Sequence, residues 1–226
     1  MYRYVTNKET KESYRFSADL VNQLVQELKN EEVEARMSCV GSKKRGLVTR
    51  NGDKPIDYDF NLWIDNADEF VDASELKDII MESFNYVLHN NGMKNQYCQD
   101  STSVISTKTF QLKGKEEIPF KIDICIVKED GYGRWHRLIH DKTGFVSRDR
   151  WYWNMGPNGK DIQRKEEYLK PEYWDEVREE YINIKNMYLS KQDYTHPSFK
   201  CYIEAINNVY YRRGGCFQIN SYFKSF

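Results

Sequence analysis

Leu20, Val21, Leu24, Val25 and Leu28 recur at intervals of three and four, which predicts a helix with one core-facing side and Ser17 as its N-cap. The period then changes. Residues 33–40 read as a strand ending at Gly41-Ser42, and a basic, turn-rich loop containing Asn51-Gly52, a hairpin signal, leads to a second strand over 56–64. Asp72, with Glu75 three residues on, opens another helix through Leu76, Ile79, Ile80, Phe84, Val87 and Leu88, which Gly92 can end. Residues 103–112, rich in Val, Ile and Thr, and residues 119–127 are two further predicted strands, joined by the polar turn Lys113-Gly114-Lys115-Glu116-Glu117.

Beyond Glu129 the pattern is different. Aromatic and basic residues alternate around glycines through residues 131–159, which reads as a loop or short hairpin. A polar helical pattern follows over 161–189, with a break expected near Pro171, and a last helix over 198–211 stops at Gly214-Gly215. This order predicts an α+β fold: a mixed β-sheet core with packed helices over 1–130, then a loop or hairpin segment and a C-terminal helical region over 131–226.

Composition narrows the function classes. Lys and Arg number 34 against 35 Asp and Glu, so the chain does not hold nucleic acid mainly by bulk electrostatics. The five cysteines (Cys39, Cys98, Cys125, Cys201 and Cys216) are odd in number and form no C-x-x-C pair, which reads as free thiols in a reducing compartment. No run is apolar enough to span a bilayer or to act as a leader, so the expectation is a cytoplasmic protein without a membrane partner.

Strand parity isolates the candidate chemistry. Ile56, Tyr58, Phe60, Leu62 and Ile64 share one side of their strand, while Asp57, Asp59, Asn61 and Asp65 share the other with Trp63. In the later strand Phe120, Ile122, Ile124 and Ile126 are set against Lys121 and Asp123 in the same way. Were the two strands neighbours, three carboxylates would converge on one patch. Residues two apart on a strand are about 7 Å apart, close enough to repel unless a cation lies between them. Oxygen-only ligands suit Mg²⁺ or Mn²⁺, and two such ions can clamp the attacking and leaving oxygens of a phosphoryl displacement. Gly41 would let a phosphate approach the backbone, Ser42 offers a hydroxyl and an amide, and Lys43, Lys44 and Arg45 add positive charge beside them.

Val40-Gly41-Ser42, then Asp57-Tyr58-Asp59-Phe60, then Asp123 within Lys121-Ile122-Asp123-Ile124 resembles the signature of the polymerase-β-like nucleotidyltransferase superfamily. The resemblance covers roughly residues 17–127 and implies a nucleotidyltransferase core that moves a nucleoside monophosphate from an NTP, with ATP the first expectation, to a hydroxyl or related acceptor. It implies that Asp57, Asp59 and Asp123 bind Mg²⁺ or Mn²⁺ and serve catalysis, that Asp123 also helps deprotonate the acceptor, and that Gly41, Ser42 and Lys43 bind the nucleotide. One departure is that the gap between Ser42 and Asp57 is slightly longer than usual. The acceptor stays open among a small molecule, a nucleotide, an RNA end and a protein.

Other readings sit beside this one. A catalytically inactive nucleotide- or RNA-binding protein of the same fold is the alternative, and a phosphohydrolase using the same carboxylates is a third. His136 and His140 are four apart but have no third nitrogen or sulfur ligand with them. The segment holding Arg134, Arg137, Trp135, Trp151 and Trp153 could line an acceptor or RNA groove, or simply pack as a hairpin. Tyr210, Tyr211, Arg212 and Arg213 close a helix whose dipole favours cations, and could also flank a nucleotide.

Overall fold

The computed structural model describes residues 1–70, 72–112, 118–145, 148–194 and 196–214. It divides into two compact units, Tyr4–Pro157 and Met1–Arg3 with Asn158–Phe226. The polar turn 113–117, Gly215, Cys216 and the rest of the C-terminal tail lie outside the described residues.

After β1 (Tyr2–Tyr4), the first helix α1 (Asn7–Glu27) starts well before Ser17. Its cap is Thr6. The Glu9 amide donates to Thr6 Oγ1 (3.2 Å) and the Thr6 amide donates to the Glu9 carboxylate (2.8 Å), a reciprocal pair that meets two orphan donors. The apolar stripe continues towards the N-terminus as small hydroxyl residues. Thr10, Ser13 and Ser17 are all buried in line with Leu20, Val21 and Leu24. Thr10 and Ser17 donate to carbonyls one turn back, at 3.2 and 2.8 Å, so their polar atoms need no water. Tyr58 closes the same patch, its hydroxyl donating to the Thr10 carbonyl (3.2 Å) and lying 2.8 Å from Ser13 Oγ.

The sheet is built from β2 (Ala35–Cys39), β4 (Ile56–Ile64), β5 (Gln99–Asp100), β6 (Ile105–Ser106), β7 (Phe120–Glu129), β8 (Trp135–Asp141) and β9 (Arg150–Met155). Between the first two lie a single helical turn, α2 (Gly41–Arg45), and β3 (Thr49–Asn51). The order is β2-β4-β7-β6-β5, with the β8–β9 hairpin pairing onto β7 near its C-terminal end. β4 and β7 are parallel and joined through α3 (Ala73–Asn90), while β2–β4, β6–β7 and β7–β8 are antiparallel. The architecture is α+β with a mixed sheet.

Asp72 does cap α3, accepting from the Ser74 amide at 2.8 Å. α1 and α3 cover one face of the sheet, where Leu20, Leu24, Leu76, Ile80 and Phe84 pack with Tyr58, Phe60, Ile122 and Ile124 in a single core. Two local readings change. Asn51-Gly52 is a turn, closed by the Lys54 amide on the Asn51 carbonyl (3.1 Å), but it does not join a hairpin because β4 takes β2 and β7 as its neighbours. The strand read over 103–112 shrinks to Ile105–Ser106 plus a bridge from Phe110 to Phe120, since Ser101 and Val104 close a turn just before it (3.0 Å).

In the other unit α4 (Lys160–Leu169) ends before Pro171 and α5 (Trp174–Ser190) begins after it, with α6 (Ser198–Arg212) packed against both. Leu169, Val177, Tyr181, Ala205, Ile206 and Val209 fill the space between these helices. Two buried lysines are each held by a short polar side chain, Lys165 by Asn207 (2.8 Å) and Lys185 by Ser198 (3.0 Å).

Candidate active site

β4 and β7 run side by side in a register that sets Asp59 directly opposite Asp123 and Asp57 opposite Lys121. Side chains in register share a face, so the carboxylates emerge together on the side of the sheet away from α1 and α3. Along β4 the burial alternates strictly: Ile56, Tyr58, Phe60 and Leu62 are buried, Asp59 and Asn61 are half-buried, and Asp57 at the strand's N-terminal end is exposed. Asp59 and Asp123 are therefore brought together as direct neighbours, and Asp57 stands one step further out on the same face.

The Gly-Ser turn closes onto Asp59. The Val40 amide donates to the Asp59 carbonyl (2.9 Å), which carries the chain from β2 straight over β4. Gly41 has a φ of +65°, and a Cβ there would lie 2.0 Å from Asp59 Oδ2. Only glycine fits, on conformation and on space. The Ser42 amide donates to the Asp59 carboxylate, and the Leu47 amide closes the turn on the Ser42 carbonyl at 2.9 Å. Lys43 turns the other way: its Nζ donates to Thr10 Oγ1 (3.0 Å) and Asn7 Oδ1 (3.2 Å) and lies over the Tyr14 ring. Arg45 is the cation of the turn whose charge acts on Asp59.

Escherichia coli MS115-1 CdnC, solved with ATP, matches 91% of this chain at a TM-score of 0.56 and 17% identity, covering 61% of the CdnC chain. Vibrio cholerae DncV in its GTP-bound form matches 90% at a TM-score of 0.56 and 12% identity, covering 52% of that chain. DncV is also matched in its complex, as cyclic AMP-GMP synthase, with the linear intermediate pppA(3′,5′)pG, at a TM-score of 0.56 and 12% identity over 90% of this chain and 53% of the other. This chain shares its fold with CdnC and DncV. This chain spans between about half and six tenths of the length of these relatives. Scanning against protein-family models gives no match, and neither does comparison with curated protein sequences.

The electrostatics of the carboxylates on this sheet are unusual. Burial, then the neighbouring charges of Asp123 and Asp57, push the Asp59 carboxyl up to about 7, against the opposing pull of Arg45 and the Ser42 amide. Asp123 is raised as well, chiefly by burial, with hydrogen bonding from Ser106 and the charge of Lys121 acting in the opposite sense. Two half-buried carboxylates side by side resist carrying two negative charges. Among the described residues no group of three or more His, Cys, Asp or Glu is gathered closely enough to hold a metal by itself. The donor set nevertheless fits a hard divalent cation: a pair of carboxylates whose mutual repulsion such an ion would remove, with a third carboxylate at the exposed edge.

The remaining candidates separate. His136 and His140 both lie on β8, not on a helix, and answer to different carboxylates: His136 Nε2 to Asp130 (3.0 Å), and His140 to Asp100 through Nδ1 and to Asp149 through Nε2 (3.1 Å). Trp151 and Trp153 pack against the core, and Gly156 gives Trp135 its place, since a Cβ there would lie 2.0 Å from the indole ring. Arg137 is set opposite Val127, on the same face as Cys125 and Asp123. Ser106 was missed in the sequence. It falls within the strand read over residues 103–112, but only the β6–β7 pairing places it opposite Asp123.

Proposed function

We propose that this protein is a metal-dependent nucleotidyltransferase that transfers a nucleoside monophosphate from an NTP to an acceptor hydroxyl with release of pyrophosphate. The observation that carries the reading is the Asp59–Asp123 pair on the open face of the sheet with the Gly41-Ser42 turn closed over Asp59. A structural protein gains nothing from burying two like charges against each other.

In this reading Asp59 and Asp123, joined by Asp57, hold Mg²⁺ or Mn²⁺, which when bound neutralises charge at the reacting phosphate. Ser42 offers its hydroxyl to the outer phosphates, and Gly41 keeps the backbone close. Asp123 takes the proton of the acceptor hydroxyl as its oxygen bonds to the α-phosphorus and the bond to pyrophosphate breaks. With Lys43 committed to α1, Arg45 is the better placed of the two to offset triphosphate charge, and positioning with charge neutralisation supplies most of the rate. ATP is the first donor to test, since CdnC was solved with it, and a nucleotide is the first acceptor class, since DncV was solved with pppA(3′,5′)pG.

One observation favours the alternative of an inactive nucleotide-binding protein: the described residues form no ready three-ligand metal cluster. Calorimetric titration of ATP, GTP, CTP and UTP with Mg²⁺ or Mn²⁺, followed by a pyrophosphate assay on the nucleotide that binds, decides between them. Metal-dependent binding lost in Asp57→Ala/Asp59→Ala, with pyrophosphate formed by the wild type, supports the enzyme. Binding without pyrophosphate supports the inactive reading, and orthophosphate release means a phosphohydrolase.

A further inference from the structure

Asp123 has a partner on each side. Across the parallel ladder it faces Asp59, and across the antiparallel ladder it faces Ser106. Residues in register project on the same face, so the serine hydroxyl stands beside the carboxylate on the side away from Asp59. We propose that Ser106 is a positioning residue for Asp123, its hydroxyl donating to one carboxylate oxygen and leaving the other directed at Asp59 and the reacting phosphate. The inference rests on the nucleotidyltransferase reading for its purpose but on the sheet register for its geometry. Hydrogen bonding from Ser106 is also the foremost influence working against the burial of Asp123. An outer partner of this kind fixes the orientation of a metal-binding carboxylate, and its loss typically costs about 10–100-fold in metal affinity or activity.

A two-residue strand is too short to hold such a group in place on its own ladder bonds. The structure supplies the missing support. Ile105 is fully buried and paired with Ile124, the Thr107 amide donates to the Ile122 carbonyl (2.9 Å), and the Ile122 amide donates back to Thr107 Oγ1 (3.0 Å). β5, which pairs with β6 through Asp100 and Ile105, is tied down by charge. Asp100 meets the ammonium of Lys77, which is only 2% exposed, and the ring of His140. Lys77 Nζ also donates to the Ser101 carbonyl (3.0 Å), and the His140 amide to the Thr102 carbonyl (2.8 Å). His140 is then stacked on Trp151 and held from its other nitrogen by Asp149. None of these groups belongs to the carboxylate face, yet together they clamp both ends of the β5–β6 hairpin that presents Ser106. The cluster gives His140 a role as an anchor of the site's supporting hairpin.

Ser106→Ala and Ser106→Thr proteins test this with three readouts: the crystal structure of the metal-free protein, Mn²⁺ affinity by electron paramagnetic resonance, and steady-state NTP turnover. The expected result for Ser106→Ala is an Asp123 carboxylate rotated away from Asp59, Mn²⁺ binding weakened about tenfold, and kcat lowered with the KM for NTP little changed. Ser106→Thr, which keeps the hydroxyl, restores all three. An Asp123 orientation and an Mn²⁺ affinity unchanged in Ser106→Ala overturn the proposal, as does a threonine variant that behaves like alanine. A carboxylate that turns in Ser106→Ala, together with a wild type that binds neither Mn²⁺ nor any NTP, overturns the enzymatic reading and leaves the positioning role standing.

Discussion

The sheet unit buries charge in two places and treats it in opposite ways. Around Asp100, a carboxylate is met by the lysine ammonium of α3 and by His140, with Lys142 at 3.5 Å on the rim, and burial is outweighed so that Asp100 stays below the usual carboxylate range. Around Asp59, a carboxylate of the same chemistry is set against Asp123 with Asp57 nearby, and is pushed up to about 7. Both clusters sit in one sheet, Asp59 and Asp123 on β4 and β7, Asp100 and His140 on β5 and β8. The difference lies in whether the counter-charge is part of the chain. Where the chain brings its own cation the cluster is an anchor; where it brings a second anion, the function proposed above supplies the missing charge with a ligand.

Substitutions can sharpen or break this contrast. The largest effect is expected from Asp59→Asn, which should lower pyrophosphate release by about 10³-fold or more. In the metal-free protein at pH 8 the same change should raise Tm by about 2–4 °C, because it removes a repulsion the fold carries only for function. A fall in Tm would mean that Asp59 stabilises the fold after all, and the contrast with Asp100 would fail.

Lys77→Ala should do the reverse, costing about 3 kcal/mol by stranding Asp100, with a Tm drop on the order of 10 °C in thermal denaturation. The paired change Lys77→Met/Asp100→Leu should recover most of that loss, since a buried ion pair replaced as a unit is close to neutral. Gly41→Ala comes next. A left-handed backbone costs alanine about 1–2 kcal/mol, and its Cβ displaces the Asp59 carboxylate, so turnover should fall about 10²-fold while Tm moves by only a few degrees.

The smallest effect concerns acid. Asp100 and Asp149 both have folded pKa values below the ordinary carboxylate value. Their contribution is therefore fully present above about pH 4 and is lost as pH falls through the lowered values. Urea midpoints measured at pH 6 and pH 3 should fall further in the wild type than in Asp100→Asn. Equal slopes would show that the cluster adds nothing to stability.

Much of this was legible residue by residue. β4 and β7 announce themselves because an apolar residue recurs at every second position, and α3 does so through its Asp72 cap. The first half of α1 does not, because its core face is made of Thr10, Ser13 and Ser17, whose hydroxyls are satisfied only once the helix exists. Lys43 reads as a phosphate ligand from its place after Gly41-Ser42, yet Asn7 and Thr10, far away in sequence, engage it. β5 is invisible for the same reason, and β6 is read only as part of a longer strand. Two residues carry no period, and their strand state depends on partners.

From its own sequence this chain determined which side chains share a face, since strand and helix periods follow from local backbone geometry. That was enough to set Asp57, Asp59 and Asp123 apart from the core. The tertiary structure alone decided that Asp59 stands opposite Asp123, that Ser106 flanks it, and that Lys77 reaches Asp100. Parallel strands have no shared turn to set their register, so the packing of the helix between them must do so.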